Sequence, residues 1–174
     1  MLRTLFRSGP SRTLIDTLYG HAVARARTPD FYVRMGVADR IDARFELYTL
    51  HVLLLVLRLR DENTAQGQEA AQDLFDVYVS ALDHVLREEG VGDVAVGKKM
   101  RKLGEALYGR MAAYEPPLRA ADAETLTQAL ARNVYAQDEA EHAAALAAYA
   151  LTARAALAAQ TFKAVQAAPA WPEV

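Results

Sequence analysis

Apolar residues recur at every third or fourth position along most of this chain, and the two-residue alternation of a half-buried strand is nowhere sustained. The first spacing places apolar side chains along one face of an α-helix. Glycine and proline residues interrupt the pattern and divide the chain into segments of helical length. The sequence therefore predicts an all-α protein, a helical bundle of about six helices.

The helix predicted over 41–60 carries the most apolar stretch of the chain. Leu50–Leu57 reads LHVLLLVL, and its apolar residues lie on nearly every face of the helix. In a protein surrounded by water, a helix that is apolar all round is buried on all sides. We therefore expect helix 41–60 to be the central helix of the bundle. The stretch is too short to cross a membrane, since a span needs about 20 apolar residues.

Residues that start and stop helices set the boundaries in the first half of the chain. Ser11 can cap a first helix, and Thr28-Pro29 opens a short turn that Gly36 ends. An acidic helix is then predicted over 68–89, where six acidic residues stand against one arginine.

The second half of the chain is divided in the same way. A fourth helix is predicted to begin near Val94 and to stop at Pro116-Pro117, since proline lacks the N–H that a helix interior needs. Asp122 can cap a fifth helix. A last, Ala-rich helix is predicted over 138–167, with a frayed tail after it. We find no internal repeat and no long linker, so we expect one domain over 1–174.

The composition narrows the class of protein. The chain has 174 residues, a hydrophobic fraction of 52% and a net charge of −2, which excludes intrinsic disorder. It has no cysteine, which excludes disulfides, a cysteine nucleophile and thiolate metal sites. The near balance of acidic and basic residues argues against a dedicated nucleic-acid binder.

The first 27 residues contain five arginines and one aspartate. Such acid-poor starts occur in organelle transit peptides and in first helices that touch anionic surfaces. Residues 14–26 keep the regular apolar spacing of a helix, so we expect this segment to be retained as a structural helix. No apolar signal segment follows it, so secretion is not expected.

Two short motifs suggest chemistry, and neither is supported by its surroundings. Residues 92–98 satisfy GxxxxGK, but no strand precedes them and Lys99 occupies the place of the Mg²⁺-binding Ser or Thr. Glu139 and His142 have the Glu-x-x-His spacing of a di-iron bundle, but no second copy of that motif exists. His51 could act as a base only with a nucleophile or a carboxylate nearby, and a hydrogen-bonded core histidine is the better interpretation. The sequence predicts no catalytic site, no metal and no cofactor.

Basic residues cluster at Lys98, Lys99, Arg101 and Lys102. One interpretation is a solvated face, or a face paired with the acidic helix. The other is a contact with RNA phosphates or anionic lipid. No aromatic residues alternate with these cations, so any contact would position the protein without reading bases.

Several blocks of sequence resemble one known family, in the right order from Pro29 to Tyr135. They are Phe31-Tyr32, Gly36–Asp39, Arg44–Leu47, Leu50-His51, Leu86–Asp93, Val96 with Lys98–Met100, Ala106–Arg110 and Arg132–Tyr135. These blocks are similar to the signature of the ubiquinol–cytochrome c chaperone family, which includes mitochondrial assembly factors of respiratory complex III and their alphaproteobacterial relatives. The Ala-rich stretch after Tyr135 has no signature that we can match.

The resemblance implies an assembly factor and not an enzyme. Family members bind newly made cytochrome b, and the mitochondrial ones sit near the ribosomal tunnel exit with a small partner protein. The bacterial branch implies a cytoplasmic protein at the inner face of the inner membrane, and a eukaryotic one would lie in the mitochondrial matrix. The candidate partner-binding residues are Arg44, Glu46, His51, Asp93, Lys98, Lys99, Arg101 and Lys102.

Two alternatives remain open at this point. The chain could be a general helical interaction module that forms a homo-oligomer through its small-residue C-terminal helix. It could also be a metal-dependent enzyme that uses Glu139 and His142.

Overall fold

The computed structural model describes residues 10–88, 93–135 and 141–174. Within these ranges the chain forms helices and no strand, which confirms the all-α prediction. Eight helices are described there: α1 (Pro10–Ala26), α2 (Asp30–Val33), α3 (Ile41–Arg60), α4 (Ala65–Glu88), α5 (Asp93–Ala120), α6 (Ala123–Asn133), α7 (Ala143–Ala158) and α8 (Phe162–Ala167).

The helix α3 is the central element of the fold, with the bounds that the sequence predicts. Helices α1, α4, α5 and α7 all pack against it. Every residue from His51 to Leu59 is buried, including the side chain of Arg58. Burying one large aliphatic side chain contributes roughly 1.5–3 kcal/mol, so this run supplies much of the hydrophobic stabilisation.

The prediction that a helix stops at Pro116-Pro117 is wrong, because both prolines lie inside α5. The fixed φ of proline is compatible with a helix, and its cost there is the lost hydrogen bond. Buried residues on both sides of the pair, Tyr114 and Leu118, hold this turn against the core. The helix then ends where the N–H of Asp122 donates to the carbonyl oxygen of Pro117 over 2.9 Å.

The caps of the other helices follow local sequence signals in part. Asp122 caps α6 as predicted, since its side chain accepts a hydrogen bond from the N–H of Thr125 over 3.0 Å. Ser11 is not a cap, because α1 already begins at Pro10. Gly36 follows α2 with a φ of +63°, a left-handed conformation that glycine adopts without strain.

The predicted continuous helix over 138–167 is wrong in the part that the structure describes. α7 ends at Ala158 and α8 begins after Thr161, while residues 136–140 lie outside the described ranges. Thr161 has an extended backbone, and its hydroxyl accepts a hydrogen bond from the N–H of Ala164 over 3.2 Å. The break turns the chain so that Val165 reaches the core.

Residues 168–174, which we call the strap, pack on the bundle, so the prediction of a frayed tail is wrong. Pro169 is buried, and the ring of Trp171 lies 5.3 Å from the ring of His51. Arg25 donates a hydrogen bond to the carbonyl oxygen of Pro172, and Arg34 donates to that of Val174 over 2.7 Å. Long-range contacts therefore hold a segment that has no helical structure of its own.

Candidate functional site

A buried ion pair joins the central helix to α5. Arg110 donates to the carboxylate of Glu46 from Nε over 3.0 Å and from Nη2 over 2.5 Å. Burial raises the pKa of Glu46 and Arg110 opposes that change, while the hydrogen bonds to Glu46 raise the pKa of Arg110. The two residues come from separate motif blocks, so the pair brings those blocks together.

His51 lies at the centre of a hydrogen-bonded chain in the core, which confirms that it is a hydrogen-bonded core histidine. Its Nδ1 donates to the carbonyl oxygen of Leu47 over 2.8 Å, so its Nε2 is left to accept from the hydroxyl of Tyr149 over 3.0 Å. That hydroxyl in turn accepts a hydrogen bond from Nε of Arg25 over 3.0 Å. Complete burial lowers the pKa of His51 to about 4, so the ring is neutral at neutral pH.

Several of the side chains that carry the family resemblance specify the fold. Phe31, Val37, Glu46 and His51 are all buried. The closing motif is tied to the opening one where the hydroxyl of Tyr135 donates to the carbonyl oxygen of Met35 over 2.8 Å. A surface that contacts another molecule must therefore be sought among the exposed residues, including those of the same blocks.

An apolar cleft lies between α4 and α5, with α3 as its floor. The free space in it is ≈ 10 Å³, about the volume of one water molecule. The hydroxyl of Thr49 is the polar group of its floor, and it is already hydrogen-bonded to the hydroxyl of Tyr78 over 2.7 Å. The α4–α5 cleft is lined by Thr49, Val52, Leu53, Val56, Phe75, Tyr78, Leu107 and Met111.

Exposed and half-exposed apolar residues continue from this cleft along both helices. Tyr108 is 67% exposed, and its ring lies 6.4 Å from that of Phe75 across the two helices. We call residues 79–88 and 95–106 the distal hairpin. Among the side chains described there, only Val96 is buried, and it lies outside the contiguous core. The half-exposed apolar residues of the distal hairpin are Val79, Leu82, Leu86, Met100 and Leu103.

The cationic face of α5 consists of Lys98, Lys99, Arg101 and Lys102, and all four side chains are exposed. Arg101 pairs with Glu105 one turn further along the same helix, over 3.3 Å. In the described part of the chain, no ion pair joins these residues to the acidic helix α4. The three lysines are therefore solvated and remain available to an external anion.

The other candidate residues lie apart from the cationic face. Arg44 is exposed near the start of α3, where it pairs with Asp39 over 2.5 Å. Glu46 and His51 are buried, so they can affect a partner only through the fold. Asp93 is the first residue of α5, and its side chain lies outside the described part. The roles predicted for these residues in partner binding remain predictions.

Sequence reasoning did not identify Tyr108 as a surface residue. Its position on α5, one residue beyond the buried Leu107, is the signal that could have revealed it, since 100° of rotation moves a side chain to the edge of an apolar stripe. Phe75 belongs to another helix, and no sequence pattern indicates that its ring lies beside the ring of Tyr108.

The structure does not support a chemical role for the GxxxxGK motif or for the Glu-x-x-His motif. Gly97 and Lys98 lie inside α5, so this part of the GxxxxGK motif is helical, while Gly92 lies outside the described residues. Glu139 also lies outside them, and His142 packs over Gly36. Among the residues described, no three His, Asp or Glu side chains form a cluster that could hold a metal.

The same ranges contain no helix that is long and apolar enough to pass through a lipid bilayer.

Comparisons with known proteins agree with the resemblance. A family model described as ubiquinol-cytochrome C chaperone matches residues 33–170. The chain is also similar to the crystal structure of the Cbp3 homolog from Brucella abortus, with 33% sequence identity and a TM-score of 0.83, covering 94% of this chain and 91% of that chain. None of the curated proteins matches this chain. The family match extends past Tyr135, so it includes the Ala-rich helix α7, which the motif blocks did not reach.

Proposed function

The chain belongs to the ubiquinol–cytochrome C chaperone family, and we propose that it assists the assembly of respiratory complex III by holding newly made cytochrome b. In this proposal the protein performs no covalent chemistry. It binds a client whose apolar helices have not yet packed against their final partners.

The exposed and half-exposed apolar residues at the edge of the α4–α5 cleft and along the distal hairpin are the observation that carries this proposal. An unassembled membrane protein exposes apolar helix faces, and such a face binds best in an apolar groove between two helices. The cleft floor has no unpaired polar group, because Thr49 and Tyr78 bond to each other. Tyr108 and Phe75 stand at its edge as aromatic anchors, the kind of residue that often dominates binding energy.

The cationic face supports the second part of the proposal, a contact with ribosomal RNA phosphates while the client is being made. Its lysines have no acidic partner among the described residues, and they project from the helix that also forms one wall of the cleft. Binding that depends on phosphate contacts weakens steeply as the salt concentration rises. A client held on the apolar surface beside the cleft would thus lie close to the ribosome surface that releases it.

The homo-oligomer alternative draws less support from the structure. The large apolar residues of α7, including Leu146, Tyr149 and Leu157, are buried in the core of the chain itself. The exposed side of α7 presents alanines and Thr152, which offer little apolar area to a second copy.

Site-specific crosslinking in cells would test the proposal. A photo-reactive amino acid replaces Tyr108 in the cleft edge or, as the control, Leu14, which is a partly exposed apolar residue of α1. We expect a crosslink to cytochrome b from position 108 and none from position 14. Equal crosslinking from both positions, or none from position 108, would overturn the assignment of the cleft.

The contact with the ribosome needs a separate measurement. The triple variant K98Q/K99Q/K102Q should co-sediment with ribosomes less than the wild-type protein does, and the difference should shrink at high salt. The variant K163Q, which removes one exposed lysine from α8, is the control. Unchanged co-sedimentation of the triple variant would contradict the role of the cationic face.

A further inference from the structure

Two aliphatic side chains stand almost fully in water at one corner of the molecule. Val33 at the end of α2 is 80% exposed and Ile41 at the start of α3 is 78% exposed, more than any other large hydrophobic side chain in the described ranges. Val33 borders a groove of ≈ 610 Å³, and Ile41 stands one helical turn before another of its wall residues, Arg44. We call this the arginine groove; it is lined by Arg27, Pro29, Tyr32, Val33, Asp39 and Arg44.

The groove contains a guanidinium group that no anion neutralises. Nε of Arg27 donates to the hydroxyl of Tyr48 over 2.8 Å, and the guanidinium carbon lies 5.7 Å from the centre of that ring. These contacts hold the side chain in place and leave its two terminal nitrogens free. No acidic partner of Arg27 is present among the described residues. The guanidinium group therefore faces solvent, where its terminal N–H groups can donate hydrogen bonds to an oxyanion.

The neighbouring arginines are all paired with aspartates. Arg44, in the groove wall, pairs with Asp39 over 2.5 Å. Arg34 lies 3.7 Å from Asp30, and Arg40 lies 3.6 Å from Asp42, with both partners exposed to water in each pair. Exposed ion pairs of this kind contribute little to stability. With Arg27, four arginines stand against three aspartates, so the corner carries a net charge of +1 and its unneutralised charge is that of Arg27.

We propose that this corner docks on the surface of an anionic phospholipid bilayer, with Val33 and Ile41 inserted between head groups and Arg27 bound to a lipid phosphate. A bilayer can receive two aliphatic side chains that protrude without a preformed pocket, and its phosphates complement the unpaired charge of Arg27. Arginine and tyrosine side chains are favoured at the depth of the lipid head groups, because each combines an apolar part with a polar end. The inference does not depend on the identity of the client.

The lipid contact that the sequence suggested for Lys98–Lys102 is thereby assigned to a different surface. The arginine groove combines charge with protruding aliphatic residues, whereas the cationic face has charge alone. Two weak signals together anchor a protein at a membrane more firmly than one does. The two assignments can be separated because their residues do not overlap.

The test is the binding of the full chain to vesicles, measured by flotation. The vesicles consist of phosphatidylcholine with about one third phosphatidylglycerol, and pure phosphatidylcholine vesicles are the comparison. The double variant V33S/I41S should lower the partition coefficient at least about tenfold, since it removes both inserted side chains. R27Q should lower it about fivefold on the anionic vesicles and less on the neutral ones, where choline offsets the charge of each phosphate.

Two controls make the outcome decisive. L14S changes an aliphatic residue that is 43% exposed on α1, away from both proposed surfaces, and it should bind vesicles as the wild type does. Since all these positions are exposed, the unfolding midpoints should be equal. The proposal is overturned if the wild-type chain does not float with anionic vesicles, or if V33S/I41S binds as well as the wild type. It is also overturned if K98Q/K99Q/K102Q abolishes binding while R27Q does not.

Discussion

Arg110 donates hydrogen bonds from two of its nitrogens to the carboxylate of Glu46, and this contact fixes the middle of α5 to the central helix. The carboxylate is almost fully buried, whereas a quarter of the arginine side chain remains in water. One turn nearer the N-terminus, Leu107 is the last residue of α5 in the contiguous core, and beyond it α5 enters the distal hairpin. The ion pair therefore lies close to the edge of the contiguous core.

Removal of the arginine should destabilise the protein, because it leaves a buried carboxylate without a partner. We expect Arg110→Met to lower the free energy of unfolding by about 3 kcal/mol, measured by urea denaturation at neutral pH. Arg101→Met removes an exposed arginine from the same helix and should change the stability by less than about 0.5 kcal/mol. The double variant E46L/R110M should recover much of the loss. If it is as unstable as R110M, the buried charge is not the cause.

The free energy of unfolding should also fall in mild acid, because the unfolded chain binds a proton at His51 more readily than the folded protein does. Burial lowers the pKa of this histidine from 6.5 to about 4, so the folded state favours the neutral ring. The corresponding stabilisation is complete above the unfolded pKa and is lost as the pH falls from 6.5 towards the folded pKa. It amounts to about 3 kcal/mol over that range. His51→Gln lacks this titration, so its unfolding free energy should depend less steeply on pH than that of the wild type. Parallel pH profiles would contradict the assignment.

Gly36 should not tolerate a side chain. Its φ of +63° disfavours other residues, and a Cβ atom would lie 2.5 Å from Cδ2 of His142. We expect Gly36→Ala to cost about 1–2 kcal/mol of unfolding free energy, chiefly from the backbone conformation, since the imidazole is half exposed and can move aside. The double variant G36A/H142A should recover only that part of the lost stability that comes from the clash between the new Cβ atom and the imidazole.

Gly109 provides the matched control for that experiment. It lies inside α5, is exposed, and a Cβ atom there would meet nothing within 4 Å. Gly109→Ala should therefore stabilise the protein by about 0.5–1 kcal/mol, because alanine favours a helix interior. An equal loss for both glycine variants would show that the conformation of Gly36 is not what matters.

The strap can be followed through Trp171, the single tryptophan of the chain. Trp171→Ala should lower the free energy of unfolding by about 2 kcal/mol, since the ring is half buried against His51. Arg25→Met removes the hydrogen bond to the Pro172 carbonyl and should shift the tryptophan emission to the red. Glu173→Ala, an exposed change in the same segment, should alter neither quantity. An unshifted emission in R25M would mean that this hydrogen bond does not hold the strap.

The features that local sequence decides could be predicted, and those that distant contacts decide could not. The apolar run of the central helix and the cap at Asp122 are local signals, and both appear in the structure as expected. The helix through Pro117 depends on the burial of Leu118, and the strap depends on the distant His51. No short stretch of sequence carries that information.

The same distinction applies to the candidate site. Four cations within five residues fix one exposed face of a helix, so the cationic face was predictable. The cleft edge needs Phe75 and Tyr108 from two helices, and the arginine groove needs Arg27 beside Tyr48. These pairs exist only once the helices have packed.

The distal hairpin contributes to the contiguous core only through the partial burial of Val79 and Leu82 in its described residues. Parting its two helix ends from each other would expose little apolar surface compared with opening the layers around α3. Backbone amides there should exchange with solvent deuterium through small openings, at a free energy far below that of global unfolding. The surface proposed to meet the client can thus change its outline for successive apolar segments while the scaffold beneath it keeps its shape.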